Sequence, residues 1–319
     1  MQDVTPDMIA QAAQVAGSVA RHTDLLPASP SVFGGNGVYI KAENLQRTGS
    51  FKIRGASYRL SQLSASEKEN GVVCASAGNH AQGVALAAKL LGVPATVVMP
   101  ESAPRSKIEA TRAYGADIVF SGHSFDQALT GAQTLRAEKG LTFIHAFDDP
   151  YIIAGQATVG LEILDDLPDC ANIVVPVGGG GLAAGVALAA KQRNPRIRVV
   201  GVEPENAASM RAALYAGHAV ELAKTATIAD GVAVARAGDL TCELCRQWLD
   251  DLVTVSESDI AHAVLMLLER IKLVSEGAGA VALAAVLTGR ANLQEGPTAA
   301  ILSGGNIDAT RLAMLIENG

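Results

Sequence analysis

Hydrophobic positions along the chain fall into two alternating textures. Short β-branched runs recur at 71–75, 95–99, 117–120, 142–145, 172–177, 198–203, 252–255 and 298–302. Each has the length of a strand. Between most of them lie alanine-rich stretches with helical spacing, as at 81–91, 125–138, 182–192 and 258–271. This alternation predicts βαβ units on largely parallel sheets, an α/β fold. Helix stops are punctuated, for example by Leu91-Gly92-Val93-Pro94 and Ala113-Tyr114-Gly115. In such a fold ligands belong at the carboxyl ends of strands, where loops feed helix N-termini. No long linker, low-complexity tract or fixed-period repeat interrupts the pattern, so composition sets no domain boundary.

At 319 residues the chain exceeds the usual single core, so one large domain or two intimate ones are expected. It is 49% hydrophobic but only 4% aromatic, a mixture that suits small-residue helices on buried parallel strands better than a β-sandwich. The net charge is −7, with no Lys or Arg run, so nucleic acid is not an expected partner. Apolar stretches such as 182–190 are too short to span a bilayer. The first twenty residues carry acids and no basic start or cleavage-like core, so no secretory signal is expected. Cys74, Cys170, Cys242 and Cys245 fit a reduced, cytoplasmic setting. Cys242 and Cys245 form a C-x-x-C without a second ligand pair or a thioredoxin-like context, and read as two cysteines on one helix. The six histidines form no metal-spaced cluster.

Four loops could carry chemistry. In Thr48-Gly49-Ser50-Phe51-Lys52-Ile53-Arg54-Gly55-Ala56 a lysine precedes a small-residue helix start. Partial burial would lower its pKa and make it a nucleophile toward an aldehyde; an ordinary surface lysine fits the same segment. Ser76-Ala77-Gly78-Asn79-His80-Ala81-Gln82-Gly83 follows a strand and opens a helix, where free N–H groups bind carboxylates or phosphates. Ser76 and Asn79 would serve equally as simple caps. Gly178-Gly179-Gly180-Gly181-Leu182 forms, between strand and helix, a nest of unobstructed N–H groups suited to a phosphate. A plain turn does not need the backbone entropy that four glycines cost. Ser303-Gly304-Gly305-Asn306 again follows a strand, and its hydroxyl could meet a ring nitrogen or merely shape a turn.

Two classes compete for these loops. A nicotinamide oxidoreductase would use Gly178-x-Gly180-x-x-Ala183 as a dinucleotide fingerprint, with Glu203 as the ribose-binding acid. It leaves Lys52, the 76–80 loop and Ser303 without a task. A non-catalytic scaffold has no use for so many glycine-rich loops at strand ends.

Taken together, Ser50-Phe51-Lys52-Ile53-Arg54-Gly55-Ala56, Ser76-Ala77-Gly78-Asn79-His80, residues 178–182 and residues 303–306 resemble the fold-type II pyridoxal-phosphate enzymes, across essentially the whole chain. Glu43-Asn44-Leu45-Gln46 leading into the lysine is similar to threonine/serine dehydratases and serine racemases, the short catabolic threonine dehydratases above all. The resemblance implies a two-domain, tryptophan synthase β-like architecture with mainly parallel sheets. Residues 1–46 and 149–319 would form the large domain, and 47–148 the small one, with no C-terminal regulatory domain. It implies pyridoxal 5'-phosphate held on Lys52, with Phe51 and Gly231 near the ring. Asn79 would bond the ring hydroxyl and Ser303 face the ring nitrogen. Gly178, Gly179, Gly180, Gly181 and Leu182 would hold the phosphate. Ser76, Ala77, Gly78, Asn79 and His80 would receive the substrate carboxylate.

The implied activity is dehydration and deamination of L-threonine, with L-serine second; hydroxyaspartate ammonia-lyase and serine racemase are the alternatives within the family. Ala77 stands where racemases carry a second serine, so elimination with little racemization is expected. Glu203, Ala207 and Ser209 match a family cation site, but a carboxylate is missing at Ser209, so a divalent or monovalent cation is left open. Partners would be a small amino acid and copies of the same chain, as a dimer or tetramer.

Overall fold

The computed structural model describes residues 3–33 and 37–318. Residues 1, 2, 34–36 and 319, which the expected large domain includes, lie outside the described residues. Among the described residues, ten strands sort into two sheets. The larger contains β1 (Leu25–Pro27), β2 (Val38–Ala42), β7 (Asn172–Pro176), β8 (Arg198–Pro204), β9 (Asp251–Val255) and β10 (Thr298–Leu302), in the order β1-β2-β10-β7-β8-β9. The smaller contains β3 (Val72–Ala75), β4 (Ala95–Met99), β5 (Asp117–Phe120) and β6 (Thr142–Phe143), in the order β5-β4-β3-β6. Every pairing is parallel except β1 with β2. The predicted α/β class and mainly parallel sheets are observed.

Burial explains the parallel order. Each residue of β7 and β10 is buried, because both faces of the large sheet are covered. Ile173 and Val175 point into a core shared with helices Pro150–Asp166 and Gly181–Arg193, while Val174 points to the opposite core under helices Glu257–Met266 and Gly277–Leu287. In the small sheet, Val72, Cys74, Val97 and Met99 face helices Lys52–Ser61 and Asn79–Leu91, and Val73 and Val98 face helix Phe125–Lys139.

Helix Lys52–Ser61 touches both sides. Ile53, Ala56 and Leu60 join the small sheet's core, and Tyr58 joins the large sheet's. It presses on helix Pro150–Asp166 so closely that a Cβ on Gly155 would lie 2.5 Å from the Gly55 Cα. Arg54, fully buried, is gripped by two forks there. Its Nε and Nη2 donate to Glu43 at 2.8 and 2.7 Å, and its Nη1 and Nη2 donate to Glu162 at 2.6 and 2.8 Å. Lys41, also fully buried, adds a bond from Nζ to Glu162 at 2.8 Å.

Two differences from the sequence reading have physical causes. β1 and β2 were not anticipated: β1 is only three residues ending in proline, and β2 carries near its end a lysine, Lys41, whose charge hides a buried strand until Glu162 and the Thr23 carbonyl are seen to receive it. The helix expected over 258–271 is α-helical only to Met266; Leu267–Ile271 widens into a π turn that ends at Lys272 with φ 66°. Among the described residues, no helix is long and apolar enough to cross a membrane.

Candidate active site

Three adjacent strands of the large sheet, β2, β10 and β7, and the central strand β3 of the small sheet deliver all four candidate loops at their carboxyl ends. The β2 and β10 loops are stitched directly: Ser50 and Gly304 form an antiparallel bridge, and the Phe51 N–H donates to the Ser303 carbonyl at 3.2 Å.

Lys52 sits at the start of its helix, and Gly83 of helix Asn79–Leu91 leaves room for it: a Cβ there would lie 3.1 Å from the Lys52 Cβ. The amine donates to the Ala146 carbonyl at 2.8 Å and lies 5.2 Å from the centre of the Phe51 ring. Loss of hydration lowers its pKa from 10.5 to about 8, an effect that the nearby Glu276 carboxylate partly offsets. Of the two descriptions the sequence allowed, a desolvated amine rather than a hydrated surface lysine is the one observed.

The nest at 178–181 is confined on several sides. A Cβ on Gly178 would lie 2.9 Å from the Val232 Cα, one on Gly179 would collide with the Phe147 ring, and one on Gly181 would lie 2.9 Å from the Phe147 carbonyl. Gly180 has φ +96°, a conformation that favours glycine, and Thr241 Oγ1 donates to the Gly179 carbonyl at 2.6 Å. The Gly179 carbonyl is thus tied back while the nest leads into helix Gly181–Arg193, with Leu182 buried behind it. Gly231 lies in the turn Asp230–Val232, next to Ala278 and Glu276.

Asn79 opens helix Asn79–Leu91, whose first turn has no side-chain cap. Its Nδ2 donates to Glu276 Oε1 at 2.6 Å, and its Oδ1 accepts from Asn306 Nδ2 at 2.8 Å. Ser76 Oγ accepts from the Gly78 N–H at 3.1 Å, and Ala77 is half-buried beside it. The His80 ring is engaged elsewhere: Nε2 contacts the Ile144 carbonyl at 3.0 Å, and burial with Lys52 nearby pulls its pKa down to about 3. The neutral ring has no charge for a carboxylate, so what His80 offers is its main-chain N–H. Ser303 is buried, with only a long 3.4 Å bond from its hydroxyl to the Ala278 carbonyl, and the buried Ser50 hydroxyl has no partner.

Glu203 does not act as a ribose-binding acid. It is fully buried, and its two oxygens accept from the Met210 and Arg211 N–H groups at 2.8 Å each, with burial raising its pKa to about 8. That removes one of the two features on which the nicotinamide reading rested, the acid that was to follow the glycine fingerprint. Ala207 ends the short turn Glu205–Ala207 and Ser209 opens the following helix, Ser209–Ala216, where its buried hydroxyl has no partner. Among the described residues no cluster of three or more His, Cys, Asp or Glu is placed to hold a metal. Cys242 and Cys245 lie buried and unpaired on helix Asp239–Trp248.

Two contributors were missed. The loop after β6 supplies the Ala146 carbonyl and Phe147; His145 Nδ1 shapes it by accepting from the Phe147 and Asp148 N–H groups, and Asp148 caps helix Asp239–Trp248. Glu276 is the other. A lone acid opening the otherwise apolar stretch Gly277–Leu287 was the available signal.

A model of the pyridoxal-phosphate-dependent enzyme family matches residues 19–304. The chain belongs to that family. It is 49% identical, over 99% of its length and 79% of the relative's, to an L-threonine ammonia-lyase of Thermotoga maritima. It is 46% identical, over 91% of its length and 85% of the relative's, to a catabolic L-threonine dehydratase of Staphylococcus aureus. Among solved structures it resembles a processed threonine deaminase of Solanum lycopersicum (TM-score 0.92, 41% identity, 99% and 89% of the two chains). Maize serine racemase aligns with TM-score 0.92 at 37% identity, over 99% and 97%. The site suits the family's cofactor: a desolvated amine for its aldehyde, a glycine nest that side chains would block for its phosphate, and buried hydroxyls short of partners for its polar ring.

Proposed function

We propose that this protein is a pyridoxal-phosphate-dependent ammonia-lyase that converts L-threonine to 2-oxobutanoate and ammonia, and L-serine to pyruvate and ammonia. The observation that carries the reading is the convergence of Lys52, with its lowered pKa, on the 76–80, 178–182 and 303–306 loops. The choice of L-threonine is supported by the relatives at 49% and 46% identity.

In this reading Lys52 would hold the cofactor's aldehyde, and its amine would take the proton from the substrate's Cα. The bound cofactor supplies the electron withdrawal that acidifies that carbon. The N–H groups of residues 178–181, with Leu182, hold the phosphate; Asn79 meets the ring hydroxyl, and Phe51 and Gly231 flank the ring. Ser76 and the main chain of residues 77–80 receive the substrate carboxylate. Ser303 offers the ring nitrogen a neutral hydroxyl, which does not hold it protonated, and this favours loss of the β-hydroxyl as water over transamination. Ala77 has no acid–base group, so proton transfer at Cα is confined to the face of Lys52. Hydrolysis of the dehydrated product releases ammonia and the 2-oxo acid.

The same reading takes residues 47–148 as the smaller domain, supported by the confinement of β3–β6 to their own sheet. It includes a homo-oligomer in the cytoplasm, which sedimentation and cell fractionation check. At Glu203 one carboxylate committed to two N–H groups, the unpartnered Ser209 hydroxyl and the Ala207 main chain fit a loosely held cation better than a tightly ligated magnesium ion. The deciding experiment records the visible spectrum before and after borohydride, then keto-acid release from L-threonine, L-serine and hydroxyaspartate by wild type and Lys52→Ala. A borohydride-sensitive band and Lys52-dependent 2-oxobutanoate are expected; a colourless protein with cofactor present, or hydroxyaspartate as the best substrate, refutes it.

A further inference from the structure

Glu276 is a buried acid placed against the site without a task in the chemistry above. It occupies the cap position of helix Gly277–Leu287, yet its side chain makes no cap bond. Instead Oε1 accepts from Asn79 Nδ2 at 2.6 Å, while its own N–H donates to the Gly304 carbonyl at 3.3 Å. The charged groups that face it are Asp230, Lys107 and Lys52. Space is kept for the carboxylate: a Cβ on Gly304 would lie 2.5 Å from Oε1.

The Asn79 amide is pinned from two ends. Asn306 Nδ2 donates to the Thr48 carbonyl at 2.7 Å, and a main-chain carbonyl can only accept, so the nitrogen of Asn306 must face it. The same nitrogen gives its second proton to Asn79 Oδ1 at 2.8 Å. With its oxygen held there, Asn79 turns its nitrogen to Glu276. One Asn79 N–H is spent on that carboxylate and one remains to be offered.

We propose that Glu276 is a positioning residue, which by accepting from Asn79 fixes that amide so that its remaining N–H is presented as a donor to the cofactor's ring oxygen. The inference rests on the assignment of Asn79 to the ring hydroxyl made above. A fixed donor favours the negatively charged ring oxygen. An amide free to turn over presents its carbonyl as well, and a carbonyl favours the neutral hydroxyl. The two forms of the lysine-bound cofactor absorb at different wavelengths, the charged one at the longer, so their ratio reads the orientation of Asn79 without any turnover.

The test compares wild type, E276Q and E276L as cofactor-loaded enzymes at one pH, with fold checked by circular dichroism and bound cofactor by phosphate content. Glutamine keeps an acceptor oxygen, so E276Q is expected to retain the wild-type band ratio. E276L is expected to shift the ratio toward the shorter-wavelength form by about fivefold, the value of one ordinary hydrogen bond. A wild-type ratio in E276L overturns the proposal. So does an E276Q shift as large as that of E276L, because it assigns the effect to charge. If E276L does not fold, Asn306→Ala removes the other pin and must shift the ratio in the same direction; an unchanged ratio overturns the proposal. A wild type with no borohydride-sensitive band fails at the cofactor assignment instead, and takes this inference with it.

Discussion

The lowered pKa of Lys52 sets a rate that can be measured before any substrate is added. The perturbation is pH, applied to cofactor-free protein, with Lys52→Ala as the blank. Only the neutral amine attacks an aldehyde. With a pKa of about 8, roughly one quarter of the protein carries a neutral Lys52 at about pH 7.5. An unshifted lysine at 10.5 would have about one part in a thousand neutral there, so burial raises the reactive fraction by about two hundredfold. The sign follows from the cause: desolvation penalises the charged form, so the group loses its proton earlier as pH rises.

The assay is stopped-flow growth of visible absorbance after adding pyridoxal 5'-phosphate. Its rate should climb with pH up to about 8 and then level off. A rate that keeps climbing about tenfold per unit beyond pH 9 would mean that Lys52 is hydrated like a surface lysine, and would refute the account of the site. Equal rates in Lys52→Ala would move the nucleophile to another residue.

Gly179→Ala should leave the chain folded but raise the dissociation constant for the cofactor by at least about tenfold, because the added Cβ meets the Phe147 ring and displaces the nest; fluorescence titration checks it. Glu43→Ala removes one of the two carboxylates that fork Arg54 and should cost about 3–5 kcal/mol, read as a lower guanidinium midpoint. Wild type incubated with L-serine should release pyruvate with little D-serine, as measured by chiral chromatography, because Ala77 offers no proton; Ala77→Ser is expected to raise D-serine formation.

What the sequence disclosed, and what it did not, divides along one physical line. Strands β3 to β10 were legible because each falls in a short run rich in β-branched and apolar residues, a signal that is read without knowing what lies across from it. The glycine loops were legible because a nest requires a residue type, whatever lies across from it. β2 was not, since Lys41 fits a buried strand only once Glu162 faces it. The same holds for Arg54 and Glu162, which stand 108 positions apart and form their fork only after the helices Lys52–Ser61 and Pro150–Asp166 are packed. Within the site the line falls in the same place. Lys52 and Asn79 are visible as motif residues, but the Ala146 carbonyl that receives the lysine is main chain, which any residue could supply. Glu276 has a side chain with a distinct identity, yet its role exists only because Thr48 fixes Asn306 and Asn306 fixes Asn79. The sequence therefore names the groups proposed to meet the cofactor, while the groups that orient them depend on contacts between segments far apart in the chain. Substitutions at Glu276 and Asn306 should accordingly change spectra before they change stability, whereas those at Glu43 and Glu162 should do the reverse.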